Sequence, residues 1–195
     1  MVLILIGQTA SGKSTIKDIL VEKADFEPIV TYTTRPKRRN ERDGIDYHFI
    51  TEEEFDAMDK LGMFIETTEY DADFGHCRYG SALDDYRGSD DKIIVLNPDG
   101  AKTVKELSER FGFEVVLVMI ELDHSELVRR ALARGDKPTE INRRIIADNH
   151  KFDQLVLSKI IDIKVVFDEY ITKEESASNV WEAYTTFLAL RRRGK

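Results

Sequence analysis

At 195 residues, with 42% hydrophobic and 34% charged residues, the chain has the size and composition of one globular domain with a substantial core. Its net charge of −8 excludes general nucleic-acid binding, which needs a basic surface to neutralise phosphates. The single cysteine, Cys77, excludes an internal disulfide and suits a reducing cytoplasm, and the apolar run Met1–Ile6 is too short for a membrane span or a signal core.

Val2-Leu3-Ile4-Leu5-Ile6 is continuously apolar, as expected of a central parallel strand buried on both faces. Gly7-Gln8-Thr9-Ala10-Ser11-Gly12-Lys13-Ser14-Thr15 follows at once and reads G-x-x-x-x-G-K-S-T, the phosphate-binding loop, between a strand and a helix as that motif requires. Gly7 and Gly12 let the backbone turn tightly, so that successive N–H groups converge on phosphate oxygens. Lys13 is placed to reach β- and γ-phosphates, and the Ser14 hydroxyl to ligate Mg²⁺. The helix opening at Lys13 adds a positive N-terminal dipole. These residues predict a site for ATP or another nucleoside triphosphate and leave the destination of the phosphoryl group open.

The helix Lys13–Lys23 turns Ile16, Ile19 and Leu20 to one face, and Ile29–Tyr32 reads as a short strand. Between Thr33 and Asp43 lie Arg35, Lys37, Arg38, Arg39 and Arg42, opposed in that interval by Glu41 alone. A basic cluster in an acidic protein repels itself unless an anion compensates it, and arginine's planar fork matches a phosphate. Taken alone, the cluster reads equally as a solvated surface loop.

Tyr47–Ile50 reads as a strand, and Thr51-Glu52-Glu53-Glu54 opens a helix as a capping box, with Phe55, Met58 and Leu61 inward. Met63–Thr67 and Arg78–Ser81 read as short strands around a loop holding Asp71, Asp73 and Gly75, with a short helix over Ser81–Tyr86. Core strands then follow at Ile93–Leu96, Glu114–Ile120 and Ile163–Phe167. Helices are expected over Gly100–Phe111, from an Asp123 cap to about Arg134, over Thr139–Leu157 after the Gly135–Pro138 break, and over Glu174–Leu190. This alternation predicts an α/β fold with a parallel sheet covered on both faces. The interruption from Thr31 to Tyr86 is a natural place for a second substrate.

Thr31-Tyr32-Thr33-Thr34-Arg35-Pro36-x-Arg38, followed by Asp43-Gly44-x-Asp46-Tyr47-His48-Phe49, resembles the monophosphate-binding segment of guanylate kinases. Gly62-x-Phe64-x-Glu66, Tyr79-Gly80-Ser81 and Arg134-Gly135 continue the resemblance in order, so that it runs from Leu3 to Asp168. It implies a three-layer P-loop NTPase fold: a single domain over 1–195, with core 1–30, 87–129 and 145–195, a monophosphate-binding insertion 31–86 and a short lid 130–144. It implies transfer of the γ-phosphoryl of ATP to GMP or dGMP with Mg²⁺. Composition and charge add the expectation of a cytoplasmic protein with no nucleic-acid or membrane partner, leaving monomer or homodimer open. Arg35, Arg38, Tyr47 and Tyr79 would hold the acceptor's phosphate, while Thr31, Glu66 and Ser81 would line its base and ribose. Arg134 and Arg144 would close over the phosphates, with Arg130 one turn before Arg134 a further candidate; Arg129 and Arg143 read as helix-surface residues.

The chemistry of guanine suits Glu66, because a carboxylate can accept from both N1–H and N2–H₂ whereas adenine has no proton at N1. The chain departs from the family pattern where an acidic residue is usual, placing Asn97 there and Val95 two positions earlier. Asn97 can accept from the guanine amino group through its amide oxygen, without charge. Asp99 is the nearest carboxylate that could support Mg²⁺. Phe167 replaces an asparagine near the adenine, and Asp71–Arg78 is not glycine-rich. These departures keep a broader (deoxy)nucleoside monophosphate kinase, and a non-catalytic guanylate-kinase-like binding domain, as alternatives.

Overall fold

The computed structural model describes residues 1–39, 41–72, 75–88, 90–157, 159–168 and 171–193. The chain begins with β1 (Val2–Gly7), α1 (Lys13–Lys23), β2 (Glu27–Pro28), β3 (Tyr32–Thr33), β4 (His48–Phe49) and α2 (Glu52–Lys60). The hairpin β5 (Phe64–Ala72) and β6 (Gly75–Ala82) leads through a 3₁₀ turn, Leu83–Tyr86, to β7 (Lys92–Val95) and α3 (Pro98–Phe111). β8 (Val115–Leu122), α4 (His124–Ala133), α5 (Pro138–Leu157), β9 (Ile163–Phe167) and α6 (Lys173–Arg193) complete the described chain. No described helix is long and apolar enough to cross a membrane.

Five parallel strands form the main sheet in the order β2-β7-β1-β8-β9. β1 is central, and its period-2 alternation feeds both cores. Leu3 and Leu5 join Ile16, Leu20, Val180 and Tyr184 on one face. Val2, Ile4 and Ile6 join Ala101, Val104 and Phe152 on the other. An unbroken apolar run is what a strand with two buried faces requires. β9 differs from the expected core strand. It is the sheet edge, its burial alternates, and Val166 is 65% exposed while Phe167 is 3% exposed.

A second sheet of four strands, β4-β3-β6-β5, is built wholly from residues 32–82. Four expectations for this region change. Ile29–Tyr32 is not one strand, because the chain leaves the main sheet for the second here. Glu27–Pro28 pairs with β7, the buried Ile29 still donates its N–H to the Ile93 carbonyl (2.9 Å), and Tyr32–Thr33 pairs with β4 and β6.

The expected loop around Asp71 and Gly75 is instead the end of a long hairpin. Tyr70 stands opposite Cys77, Asp71 opposite His76 and Ala72 opposite Gly75. The β-branched and aromatic residues Thr67, Thr68 and Tyr70 extend β5. Cross-strand pairing of Asp71 with His76 (3.0 Å) and of Glu69 with Arg78 (3.4 Å) holds the far end. Asp73 lies outside the described residues. The strand at Tyr47–Ile50 shortens to His48–Phe49, and the helix expected over Ser81–Tyr86 is the 3₁₀ turn. The capping box at Thr51 and Glu54 is present in both directions.

Candidate active site

β1 ends at Gly7 because nothing larger fits: a Cβ there would lie 2.7 Å from the Ile120 carbonyl oxygen of the neighbouring strand. The loop then climbs to Gly12, which caps α1 at φ 90°, a left-handed conformation that glycine adopts without a steric penalty. Lys13 folds back into the loop, its Nζ donating to the Gly7 carbonyl (2.7 Å), the Gln8 carbonyl (2.8 Å) and Ser11 Oγ (3.3 Å). Burial lowers its pKa to about 8; the carboxylate of Asp148 opposes this shift, and the charge of Arg134 adds to it.

Two hollows meet at Thr9 and Lys13. One, of about 660 Å³, is walled by Ala10–Thr15 of the loop, by Arg130 and Arg134 from the end of α4, and by Ser176 of α6. Ser14 is exposed on its rim. The other, of about 460 Å³, lies between the main sheet and the second sheet and reaches to α5. Both volumes fall in the range of small-molecule sites, roughly 300–1,000 Å³.

The second hollow collects most of the residues singled out downstream of the loop. Thr31, Arg35, Arg38, Tyr47, Glu66 and Tyr79 line it, as do Asn97 and, from α5, Arg144. Lys37, Arg39 and Arg42 are exposed and do not line it, so the arginine-rich segment divides into site residues and solvated surface. Arg35 is 4% exposed. Its Nε donates to Tyr79 Oη (3.2 Å), Nη1 to the Pro36 carbonyl (2.8 Å) and Nη2 to Glu41 Oε1 (2.8 Å). Its guanidinium also lies 5.3 Å from the Tyr47 ring centroid. Glu41 makes this burial tolerable, and its second oxygen accepts the Arg38 backbone N–H (2.8 Å). Arg38 keeps its side chain 64% exposed at the mouth, where its charge can meet an anion.

Glu66, on β5, is 6% exposed. Its Oε1 accepts from Ser81 Oγ (2.7 Å), while Oε2 is buried without a partner among the described residues. Burial pushes this carboxyl up to about 7, against the hydrogen bonds from Ser81. Gly100 lets it lie there, since a Cβ on that residue would stand 2.6 Å from Oε2. Ser81 does not line the hollow as the family pattern implies; it is fully buried behind Glu66.

Asn97 lines the hollow but serves first as the N-cap of α3, accepting the Gly100 N–H (2.9 Å) while its amide nitrogen donates to Thr68 Oγ1 (3.0 Å). Its oxygen, the group suited to a guanine amino group, therefore already holds a helix N–H. Asp99 pairs with Lys151 rather than facing the loop. Arg144 pairs with Glu140 (2.6 Å), Arg130 with Glu126 (2.7 Å), and Arg134 with Asp136. Gln8 lines neither hollow and donates to Asn149 of α5.

The structure adds residues that sequence reasoning missed. Asp148 accepts the Thr9 N–H (2.9 Å) and bears on Lys13, and burial raises its pKa. Its position was inferable: it follows Arg144 by one helical turn, and so shares that residue's face. Thr68 and Tyr70 extend the wall because β5 runs longer than expected. Val95 lines the hollow, Phe167 is core, and the free Cys77 is buried at the wall.

The guanylate kinase family model matches residues 1–177. Guanylate kinase from Streptococcus agalactiae serotype III is 30% identical over 190 residues, covering 94% of this chain and 86% of the relative. Guanylate kinase from Bifidobacterium longum is 31% identical over 187 residues, covering 92% and 90%. The crystal structure of guanylate kinase from Anaplasma phagocytophilum superposes with a TM-score of 0.68 at 24% identity, covering 92% of this chain and 81% of that one, and so shares the fold. With the model spanning nearly the whole chain and relatives matched over most of their own length, the chain belongs to the guanylate kinase family.

Proposed function

We propose that this chain transfers the γ-phosphoryl group of ATP to GMP or dGMP, with the loop hollow holding the donor and the hollow at Glu66 holding the acceptor. The observation that carries the reading is that Glu66, whose buried Oε2 has no partner among the described residues, lines a cavity that meets the phosphate loop at Lys13. A buried acceptor without a donor costs free energy until a ligand supplies one. Guanine supplies two donors on one edge, whereas the Watson–Crick edge of adenine presents an acceptor at N1.

Phosphoryl transfer needs in-line positioning and cancellation of charge more than covalent chemistry. In this reading Arg35 and Arg38, with the hydroxyls of Tyr47 and Tyr79, fix the acceptor phosphate; Thr31 meets the nucleoside. Lys13 lies where the two hollows join, so its charge can bear on a group passing between them. Arg134 and Arg130 reach the donor side and Arg144 the acceptor side, which suits a lid over residues 130–144 that closes and excludes water.

Mg²⁺ fits the loop, since an ion that keeps most of its ligands as water and phosphate oxygen needs few from the protein, and the Ser14 hydroxyl stands exposed on the donor rim. Bound there with ATP, it would neutralise charge on the β- and γ-phosphates.

The test is ATP-dependent phosphorylation of GMP, dGMP, AMP, CMP, UMP and dTMP in one panel. Strong preference for the guanine nucleotides is expected; turnover of another base with none of GMP or dGMP would sink the assignment. Because the Asn97 oxygen is uncharged and already accepts one helix N–H, base selection rests chiefly on Glu66, and its setting gives a second measurement. Gly100→Ala is expected to raise KM for GMP roughly ten-fold, because a methyl 2.6 Å from Oε2 forces the end of the Glu66 side chain out of its position. The melting temperature should change little, since alanine favours the helix by up to about 1 kcal/mol over glycine. An unchanged KM in that variant would place the base elsewhere.

A further inference from the structure

From Glu66 on the wall of the acceptor hollow, a line of three polar side chains runs inward into the protein. Tyr86 Oη is 2.8 Å from Ser81 Oγ, and Ser81 Oγ is 2.7 Å from Glu66 Oε1. Ser81 is 0%, Tyr86 2% and Glu66 6% exposed. Ser81 is the register partner of Glu66 across the β5–β6 hairpin, whereas Tyr86 arrives from the 3₁₀ turn, its ring stacked on Phe113 at 5.2 Å. That ring belongs to the apolar cluster containing Ile4, Leu96 and Val104.

A serine hydroxyl has one proton and can rotate it to any acceptor in reach. A phenol fixed in an apolar core removes that freedom. By donating into the serine's lone pair, Tyr86 leaves the Ser81 proton directed at Glu66, and aligned hydrogen bonds in a dry interior polarise one another. The same ordering leaves Oε2 of Glu66, the oxygen without a partner, as the free end of the chain.

We propose that Tyr86 is a positioning residue for base recognition: through Ser81 it holds the Glu66 carboxylate in its accepting orientation toward the guanine edge. The proposal rests on the reading of Glu66 as the guanine acceptor. It adds a residue that touches no substrate and that the sequence presented as the end of a short helix.

The arrangement also bears on ionisation. Burial disfavours the charged form of Glu66, while the Ser81 hydroxyl and Ser81 backbone N–H oppose that. The other groups packed near the line are Gly100 at the start of α3, Tyr70 on β5 and Asp85 beside Tyr86 in the turn. Removing the phenol oxygen weakens the donor to Oε1, so the carboxylate should form at higher pH in its absence.

Tyr86→Phe keeps the ring and its stacking, and the KM for ATP reports an intact fold. With ATP saturating, the variant is expected to raise KM for GMP about three- to ten-fold with kcat little changed. The loss should be larger at pH 6 than at pH 8.5, with the acid limb of kcat/KM moved to higher pH. The acceptor phosphate's own ionisation, near about pH 6, is common to all variants and cancels. Ser81→Ala removes the intermediate hydroxyl, so in that background Tyr86→Phe should have no further effect on KM for GMP.

An unchanged KM and pH profile in Tyr86→Phe would overturn the proposal. So would the same fold-loss in the Ser81→Ala background, because the ring would then act through packing alone. A wild-type protein that does not turn over guanine nucleotides would instead overturn the reading of Glu66 on which the proposal stands.

Discussion

Lys13→Ala is expected to lower kcat by about 10²–10³-fold while leaving the fold intact. The ammonium donates to two loop carbonyls and to Ser11, all within the loop itself. In the free protein these bonds hold the side chain back within the loop. A bound triphosphate offers stronger, charge-assisted acceptors, so the ammonium should exchange carbonyls for phosphate oxygens. Circular dichroism should be unchanged in the variant, and turnover within ten-fold of wild type would remove Lys13 from the transfer step.

The same residue sets a pH dependence. Its pKa is lowered to about 8, so in the free protein the cation is lost as pH rises through 8. ATP affinity should therefore fall above that pH. Phosphates favour the charged form, so binding near and above pH 8 should be coupled to proton uptake. Calorimetry in buffers of different ionisation enthalpy reads this directly, and Lys13→Ala should abolish it.

What the sequence made legible was local. The phosphate loop is read from consecutive residues because strand, turn and helix are one continuous segment, and the close approach that demands Gly7 comes from the adjoining strand β8. Arg35 and Glu41 lie six residues apart; counting charges in one interval marked Glu41 as the lone opposing carboxylate, and the structure pairs it with Arg35. That β1, β7 and β8 are parallel strands of one sheet followed from apolar runs alternating with helices, whereas their order did not.

What stayed hidden depends on neighbours distant in sequence. The split of Ile29–Tyr32 between two sheets is decided by β7 on one side and β6 on the other. The length of the β5–β6 hairpin is decided by cross-strand partners. Ser81 looked like a pocket residue, and its register opposite Glu66 does put it on the same face of the hairpin, but the Glu66 carboxylate covers it. Asn97 looked like a base reader, yet an asparagine before Pro98 at a helix start is also a strong cap, and the helix N–H claims its oxygen. Asp148 joins the loop through a contact across 139 residues; its spacing from Arg144 gives the helix face, but not the Thr9 N–H that the face meets.

Glu66→Gln is expected to cut kcat/KM for GMP by roughly 10²-fold, chiefly through KM, with KM for ATP unchanged. The carboxylate offers acceptors to both guanine donors. The amide offers one oxygen and sets its own NH₂ against one of them, so a donor faces a donor in a site that water cannot relieve. The consequence for specificity runs further than loss. An amide can donate to adenine N1 and accept from its amino group, so the ratio of GMP to AMP turnover should fall by more than the GMP term alone. The pH dependence separates this from a general disturbance. Because the carboxyl of Glu66 is raised to about 7, the fraction able to accept both donors grows as pH rises through that value, and wild-type KM for GMP should fall across pH 6–8. Glutamine does not titrate, so after the acceptor phosphate's own ionisation is allowed for, the variant's profile should be flat. A variant that keeps both the wild-type KM and the wild-type slope would mean that guanine is selected by some other group on the wall.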